Sequence, residues 1–150
     1  MAVFADPTGA VFAVWQAGAH KGAQLVNVPV SFCWNELATR DLARAKDFYT
    51  KVFGYGIKSN PMPEGGEYVE WQVNGRSVAG GLQMGSMYPA DTPPHWLVYF
   101  AVANTDDTVK HAEELGGKAL VPAMDSPQGR FAVLADPQGA PFAVIQIGGG

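Results

Sequence analysis

A twelve-residue segment near the start of the chain recurs near its end, and this internal repeat constrains the fold more than any other feature. Residues 5–16 read ADPTGAVFAVWQ and residues 135–146 read ADPQGAPFAVIQ, so nine of the twelve positions are identical. Self-similar segments indicate repeated structural units. The second copy follows a helix and several strands, whereas nothing comparable precedes the first. The repeat therefore predicts that residues 1–18 form an orphan β-hairpin that resembles the tail of a preceding unit.

Bulk composition predicts one globular domain, because 150 residues with 47% hydrophobic side chains can bury a core of useful size. The net charge of −4, without a basic cluster, argues against a nucleic-acid partner. No apolar run approaches the roughly 20 residues that a membrane-spanning helix needs. The single Cys33 cannot form an internal disulfide, which suits a reducing compartment. We expect a cytoplasmic protein with no membrane partner.

Apolar residues recur at helical spacing in two segments, residues 41–53 and 105–115. Asp41 is placed to cap the first helix and Gly54 to end it, and Gly116 and Gly117 end the second.

Each predicted helix follows one strand and precedes three. The strands before the helices are residues 32–37 and 95–102. The strands after the helices are residues 56–58, 68–73, 77–84, 119–122, 130–134 and 142–147. Asn74-Gly75 is a two-residue hairpin signal, and residues 136–139 form a Pro-containing turn. The pattern predicts βαβββ repeats at about residues 30–87 and 94–147, after a linker at residues 19–29.

Short motifs in this order resemble the vicinal oxygen chelate superfamily, which includes glyoxalase I, bleomycin-resistance proteins and extradiol dioxygenases. The motifs that carry the resemblance are Asp41-Leu42, Ala45, Phe48-Tyr49, Phe53-Gly54, Leu115-Gly116-Gly117 and Asp136-Pro137-Gln138-Gly139. Trp34-Asn35-Glu36-Leu37 and Pro93-Pro94-His95-Trp96 are similar to two-domain actinobacterial members called glyoxalase-like or hydroxylase-like. The resemblance implies an α+β fold over residues 30–148, in which two βαβββ units form an eight-stranded cup, preceded here by the extra hairpin.

The resemblance also implies metal ligands on both entering strands and both final strands, normally His, Gln or Glu. Counting from the helix starts and the turn glycines places Trp34, Leu97, Ala79 and Ala143 at these positions. None of these side chains coordinates a divalent metal well. We therefore expect no metal at the usual site of the family, and no other cofactor.

Strand alternation predicts which side chains face the cup. If Leu97 faces inward, so do His95 and Tyr99, while the neighbours in between are apolar and suit the helix layer. The same count directs Phe32, Trp34 and Glu36 inward. The predicted cavity is mostly apolar and aromatic, as small-molecule sites usually are. Its predicted ligand-binding residues are Phe32, Trp34, Leu97, Ala79 and Ala143, with Trp34 as a stacking platform.

Three polar side chains are candidates for proton transfer, and each has a plainer alternative. Glu36 is a candidate general base; alternatively it is a rim carboxylate in water or paired with Arg40 or Arg44. His95 is a candidate acid–base group, or a solvated residue at a strand start. Tyr99 is a candidate hydrogen-bond donor to a ligand, or a satisfied core tyrosine.

Three functions remain open from the sequence. The first is a metal-independent module that binds a hydrophobic or aromatic metabolite or antibiotic, by resemblance to bleomycin-resistance proteins. The second is a lyase, isomerase or dioxygenase-type enzyme that uses Glu36 with Tyr99 or His95. The third is a non-catalytic pairing domain. We expect a homodimer, or pairing with a second glyoxalase-like domain, because the extra hairpin would expose a strand edge.

Overall fold

The computed structural model describes residues 1–63 and 65–147. The predicted domain end at residue 148 lies outside these residues. The elements, in chain order, are β1 (Ala2–Ala5), β2 (Val11–Val14), β3 (Ser31–Thr39), α1 (Leu42–Phe53), β4 (Gly56–Pro61), β5 (Glu67–Val73), β6 (Arg76–Gln83), β7 (His95–Ala101), α2 (Thr105–Glu114), β8 (Lys118–Ser126), β9 (Gly129–Ala135) and β10 (Pro141–Ile147).

Local capping sets the ends of both helices. The Asp41 carboxylate accepts a hydrogen bond from the Arg44 backbone N–H at the start of α1, and Gly54 ends this helix with a φ of 68°. The Asn104 side chain accepts from the Asp107 N–H at the start of α2. The predicted caps of α1 are confirmed. Neither helix in the described part of the chain is long and apolar enough to span a bilayer.

Two turns follow their sequence signals closely. Asn74 and Gly75 have φ values of 51° and 75°, the positive values that a two-residue hairpin of the primed type requires. Gly139 has a φ of 94°, and the carboxylate of Asp136 accepts the N–H groups of Gln138 and Ala140. These turns fix the pairing of β5 with β6 and of β9 with β10.

The α+β fold with two βαβββ units and an extra hairpin is confirmed. The described strands form a mixed eight-stranded sheet in the order β4-β5-β6-β3-β7-β10-β9-β8, and β1 and β2 form a separate two-stranded sheet. β3 pairs in parallel with β6, and β7 in parallel with β10. The chain divides into two compact units. Unit 1 contains residues 1–22 and 35–96, and unit 2 contains residues 23–34 and the chain from Leu97 onward.

Helix α1 lies at the centre of unit 1, between sheet and hairpin. Its buried face (Leu42, Ala45 and Tyr49) packs with Leu37, Val69 and Trp71 of the sheet. The hairpin contacts α1 through Phe12, whose ring lies 5.5–6.1 Å from the rings of Phe48, Tyr49 and Phe53. The predicted hairpin is therefore present, and it packs on the first helix.

Unit 2 has an apolar cluster on each face of its strands. Ala132, Leu134 and Val144 pack with Val109 and Ala112 of α2. The opposite face carries a second cluster of Leu97, Tyr99, Ala143 and Ile145, against which Cys33, Trp34, Phe131 and Val133 pack. Along β10, Val144 belongs to the first cluster, and Ala143 and Ile145 belong to the second. Side chains of this strand therefore alternate between the face that packs on α2 and the opposite face.

Candidate functional site

The face of unit 1 that turns away from α1 carries polar side chains. Leu37 and Trp71 pack in the core beneath α1, so their strand neighbours Glu36 and Glu70 point to the opposite face. The pairing agrees, because Glu36 of β3 and Glu70 of β5 both lie opposite Gly80 of β6. Two carboxylates thus flank a residue without a side chain on this face.

The carboxylate of Glu36 accepts a hydrogen bond of 2.8 Å from the Tyr68 hydroxyl, and both residues are half-buried. A hydrogen bond to an ionised group is about twice as strong as a neutral one. The same carboxylate also acts on Tyr88. Burial raises the pKa of the Tyr88 hydroxyl, and the negative charge of Glu36 raises it further. This carboxylate, with two tyrosines near it, is a group that can accept a hydrogen bond from a ligand.

The second carboxylate, Glu70, is held in a hydrogen-bonded network. It accepts from the Ser77 hydroxyl, from Asn60 at 2.8 Å and from Lys58 at 3.1 Å. The bond from Ser77, followed by the bonds from Lys58 and Asn60, holds the pKa of Glu70 below its usual range despite desolvation. We interpret Glu70 as a structural anchor of this face.

His95 begins β7 and has a defined ring orientation. Its Nδ1 lies 2.8 Å from the carbonyl oxygen of Pro93. A carbonyl only accepts, so Nδ1 carries the hydrogen, and in the neutral ring Nε2 keeps a lone pair. This tautomer is suited to accepting a proton at Nε2.

Ala79 was predicted on the cup floor, and that placement is wrong. Ala79 is 7% exposed and belongs to the core cluster beneath α1, opposite Trp71. The register of β5 and β6 shifts between Trp71 and Gln72, where Val78 has no partner. A bulge of one extra residue moves every later side chain to the other face. Counting from the turn glycine therefore fails in unit 1.

Four of the predicted site residues lie together in unit 2. Leu97, Tyr99 and Ala143 are buried in the cluster on the face opposite α2, and Trp34 packs against them. The backbone carbonyl of Tyr99 accepts a weak hydrogen bond from the Cys33 thiol at 3.4 Å. Phe32 is half-buried at the start of β3, and its carbonyl accepts from the Asn27 N–H. Glu36, His95 and Ala79 belong to unit 1.

The residues that the sequence count assigned to the metal-ligand positions do not fit a divalent ion. Leu97 and Ala143 contribute only carbon atoms to an apolar cluster, and Ala79 faces the other way. Among residues 1–63 and 65–147, no three His, Cys, Asp or Glu side chains converge on a common point. Because divalent metals bind through several N, O or S donors, this donor set does not support one.

Sequence reasoning missed Tyr68 and Tyr88. Tyr68 had a detectable signal, since residues 67–72 read EYVEWQ, with Val69 and Trp71 apolar and the residues between them polar. This alternation places Tyr68 on the face of Glu70. Tyr88 lies between β6 and β7, in a segment with no such periodicity.

Comparison with known proteins identifies relatives for most of the chain. The profile of the Glyoxalase/Bleomycin resistance protein/Dioxygenase superfamily matches residues 34–144. The anthracycline biosynthesis protein DnrV of Streptomyces peucetius is 41% identical over 152 residues, which cover 98% of this chain and 52% of that protein. The putative glyoxylase CFP32 of Mycobacterium bovis is 40% identical over 147 residues, which cover 97% of this chain and 55% of that protein. The chain thus spans about half the length of these curated relatives.

Solved structures share the fold at low sequence identity. Methylmalonyl-CoA epimerase from Mycobacterium tuberculosis is 12% identical, with a TM-score of 0.59 over 84% of this chain and 95% of that one. A superfamily member from Vibrio splendidus is 15% identical, with a TM-score of 0.50 over 78% of this chain and 99% of that one. At this identity the likeness concerns the fold alone.

Proposed function

This chain belongs to the glyoxalase/bleomycin resistance protein/dioxygenase superfamily, and on that basis we propose that it binds a hydrophobic or aromatic small molecule without a metal ion. The observation that carries the proposal is the Glu36–Tyr68 pair on the face of unit 1 that turns away from α1. A half-buried carboxylate with two tyrosines near it is the kind of polar group that orients a small molecule in an otherwise apolar site.

Unit 2, taken by itself, also suits a ligand with an apolar or aromatic body. Unit 2 carries the apolar cluster with Trp34, Leu97 and Tyr99 on the face that its helix does not cover. Aromatic rings favour planar partners by stacking. Relatives named as anthracycline biosynthesis proteins fit this class, since anthracyclines are fused-ring aromatic compounds. Shape and stacking suffice for such binding, and a Lewis acid is not required.

Ligand titration tests the binding proposal. The probes are an anthracycline and a simple anthraquinone, measured by calorimetry against the wild-type chain, Glu36→Gln and Tyr68→Phe. Removing a charge-assisted hydrogen bond costs about 1.5–3 kcal/mol, so we expect Glu36→Gln to weaken binding about tenfold or more. Glu113→Gln, at an exposed position of α2, is the matched control and should leave affinity unchanged. Absence of binding for both probes, or equal affinities for Glu36→Gln and wild type, would contradict the proposal.

The tautomer of His95 favours a second candidate function, proton transfer by an enzyme of this superfamily. The hydrogen bond to Pro93 leaves Nε2 of the neutral ring as a base. Glu36 with His95, both in unit 1, would then move a proton to or from an acidic carbon. NMR in heavy water detects such a reaction as deuterium exchange into 1,3-dicarbonyl and 2-oxo acid probes. We expect exchange above background that Glu36→Gln and His95→Gln both abolish. If exchange proceeds at the same rate in both variants, neither residue transfers the proton.

A further inference from the structure

Two consecutive turns fold the connection between β6 and β7. The Tyr88 N–H donates to the Gly85 carbonyl at 3.2 Å. The Thr92 N–H then donates to the Pro89 carbonyl at 3.0 Å. Hydrogen bonds of this spacing close β-turns. Tyr88 lies where the two turns meet and is half-buried, whereas its neighbour Met87 is 75% exposed. The connection therefore directs the Tyr88 side chain towards the protein.

One arginine ties this connection to the end of β3. Arg40 directly follows β3, and its guanidinium donates to the Pro89 carbonyl at 2.6 Å. A hydrogen bond from a charged donor is about twice as strong as a neutral one. Because Pro89 follows Tyr88, this bond fixes the chain one residue from the tyrosine side chain.

The backbone around Arg40 is itself held in place. The side-chain amide of Gln83 donates to the Arg40 carbonyl and accepts from the Leu42 N–H at 2.9 Å. The Met84 N–H donates to the Thr39 carbonyl at 2.8 Å. These bonds join the turn between β3 and α1 to the end of β6, so the guanidinium extends from a backbone of fixed position.

The group that Tyr88 approaches is the carboxylate of Glu36. Glu36 lies in β3, four positions before Arg40, and both belong to unit 1 with Tyr88. Burial raises the pKa of the Tyr88 hydroxyl, and the charge of Glu36 raises it further, which agrees with a short separation. Tyr68 donates to the same carboxylate at 2.8 Å. Two tyrosines thus approach Glu36, one from β5 and one from the β6–β7 connection.

We propose that Arg40 is a positioning residue of the candidate site, which through Pro89 keeps the Tyr88 ring beside Glu36 as an aromatic wall for the bound molecule. The ligand contact of Tyr88 rests on the proposed binding function, whereas its placement by Arg40 does not. Arg40 acts through the backbone of the connection. Without the guanidinium the connection loses this tether, and the Tyr88 ring can leave the carboxylate.

NMR of the chain labelled with ¹³C at the tyrosine Cζ atoms tests the placement. The pH titration of each signal gives a pKa, and Tyr88→Phe identifies the signal of Tyr88. Glu36→Gln removes a negative charge and should lower the pKa of Tyr88 in the wild-type chain. In Arg40→Ala this pKa should already lie closer to its ordinary value near 10, and Glu36→Gln should change it little further. If Glu36→Gln has the same effect with and without Arg40, then Arg40 does not position Tyr88 and the proposal is overturned.

Two further variants separate positioning from general stabilisation. Arg40→Lys keeps a cationic donor for the single bond to Pro89, so it should restore the effect of Glu36→Gln on Tyr88 at least in part. Arg44→Ala removes an exposed arginine of α1 and should leave the pKa of Tyr88 as in the wild-type chain. Equal behaviour of Arg40→Ala and Arg44→Ala would count against the proposal.

Calorimetry with the anthraquinone probe tests the consequence for binding. A lost aromatic contact should weaken binding by about three- to tenfold in Tyr88→Ala, and Arg40→Ala should match it. The double variant should bind no more weakly than Tyr88→Ala alone, because both changes remove the same contact. Additive losses, or an unchanged affinity of Arg40→Ala, would overturn the proposal. If the probe does not bind the wild-type chain, the proposed binding function fails, and the pKa of Tyr88 in the four chains with and without Glu36 and Arg40 still decides the role of Arg40.

Discussion

Replacing Tyr49 with Phe should destabilise unit 1 strongly, because one hydroxyl connects three elements. The Tyr49 hydroxyl donates to the Asp6 carboxylate of the hairpin at 2.9 Å and accepts from the indole N–H of Trp96 at the start of β7, also at 2.9 Å. Asp6 is 4% exposed, and its other carboxylate oxygen already accepts from Thr8 and Ala10. Tyr49→Phe leaves a buried carboxylate with fewer donors and an indole N–H without its acceptor.

The magnitude follows from the two lost hydrogen bonds. A hydrogen bond to a charged group contributes about 1.5–3 kcal/mol, and a neutral one about 0.5–1.5 kcal/mol. Because partial relaxation reduces the sum, we expect a loss of about 2–4 kcal/mol in the free energy of unfolding. For a chain of this length each kcal/mol lowers Tm by about 2–4 °C, so Tm should fall by roughly 5–15 °C.

Urea unfolding followed by tryptophan fluorescence and by far-UV circular dichroism measures this loss. Tyr55→Phe is the matched control, since Tyr55 is a half-buried tyrosine of the same unit that lies outside this hydrogen-bond chain. The control should stay within about 0.5 kcal/mol of wild type. A loss below about 0.5 kcal/mol for Tyr49→Phe would refute the argument, because the hydroxyl would then contribute nothing net.

Three further predictions concern the same unit. Burial raises the pKa of Tyr49 above its ordinary value near 10. The folded state therefore keeps the proton at a pH where the unfolded state has lost it, and this lowers the stability of wild type as the pH rises above 10. In urea unfolding, the stability difference between wild type and Tyr49→Phe should therefore shrink above pH 10. The hydrogen bond from Ser77 lowers the pKa of Glu70, so the ionised carboxylate stabilises the folded state, and this contribution is lost as the pH falls below about 4.3. Glu70→Gln lacks the contribution at every pH. Urea unfolding at pH 3–7 should therefore show a smaller loss of stability on acidification for Glu70→Gln than for wild type. Ala79→Leu should cost about 1–3 kcal/mol by overpacking against Trp71, whereas Ala13→Leu should cost nothing measurable by thermal unfolding.

Elements fixed by local chemistry could be predicted from the sequence. The Asp41 cap, the left-handed Gly54 and the Asn74-Gly75 turn depend on residues within a few positions of each other. In β10, strand alternation was also sufficient to predict which face of the sheet each side chain occupies, since Ala143 and Val144 pack on opposite faces. The repeat identified the hairpin itself.

Features that depend on contacts between distant residues could not be predicted. The bulge at Val78 reverses the facing of Ala79, and no local signal distinguishes β6 from the regular β10. Spacing alone could not assign the Arg40 guanidinium to the Pro89 carbonyl, to which it donates at 2.6 Å from 49 positions away. The partner Tyr68 lies 32 positions from Glu36, and the sheet register brings them together.

The N-terminal hairpin depends on α1 for its order. Phe12 and Asp6 fix one face of the hairpin on this helix, and a two-stranded hairpin by itself would be only marginally stable in water. Tyr49→Phe should therefore speed the hydrogen exchange of the backbone amides of β1 and β2, because the hydroxyl that holds Asp6 is lost. If Tyr49→Phe lowers the free energy of unfolding but leaves exchange in the hairpin unchanged, the aromatic contacts of Phe12 order the hairpin and the Asp6 hydrogen bond does not.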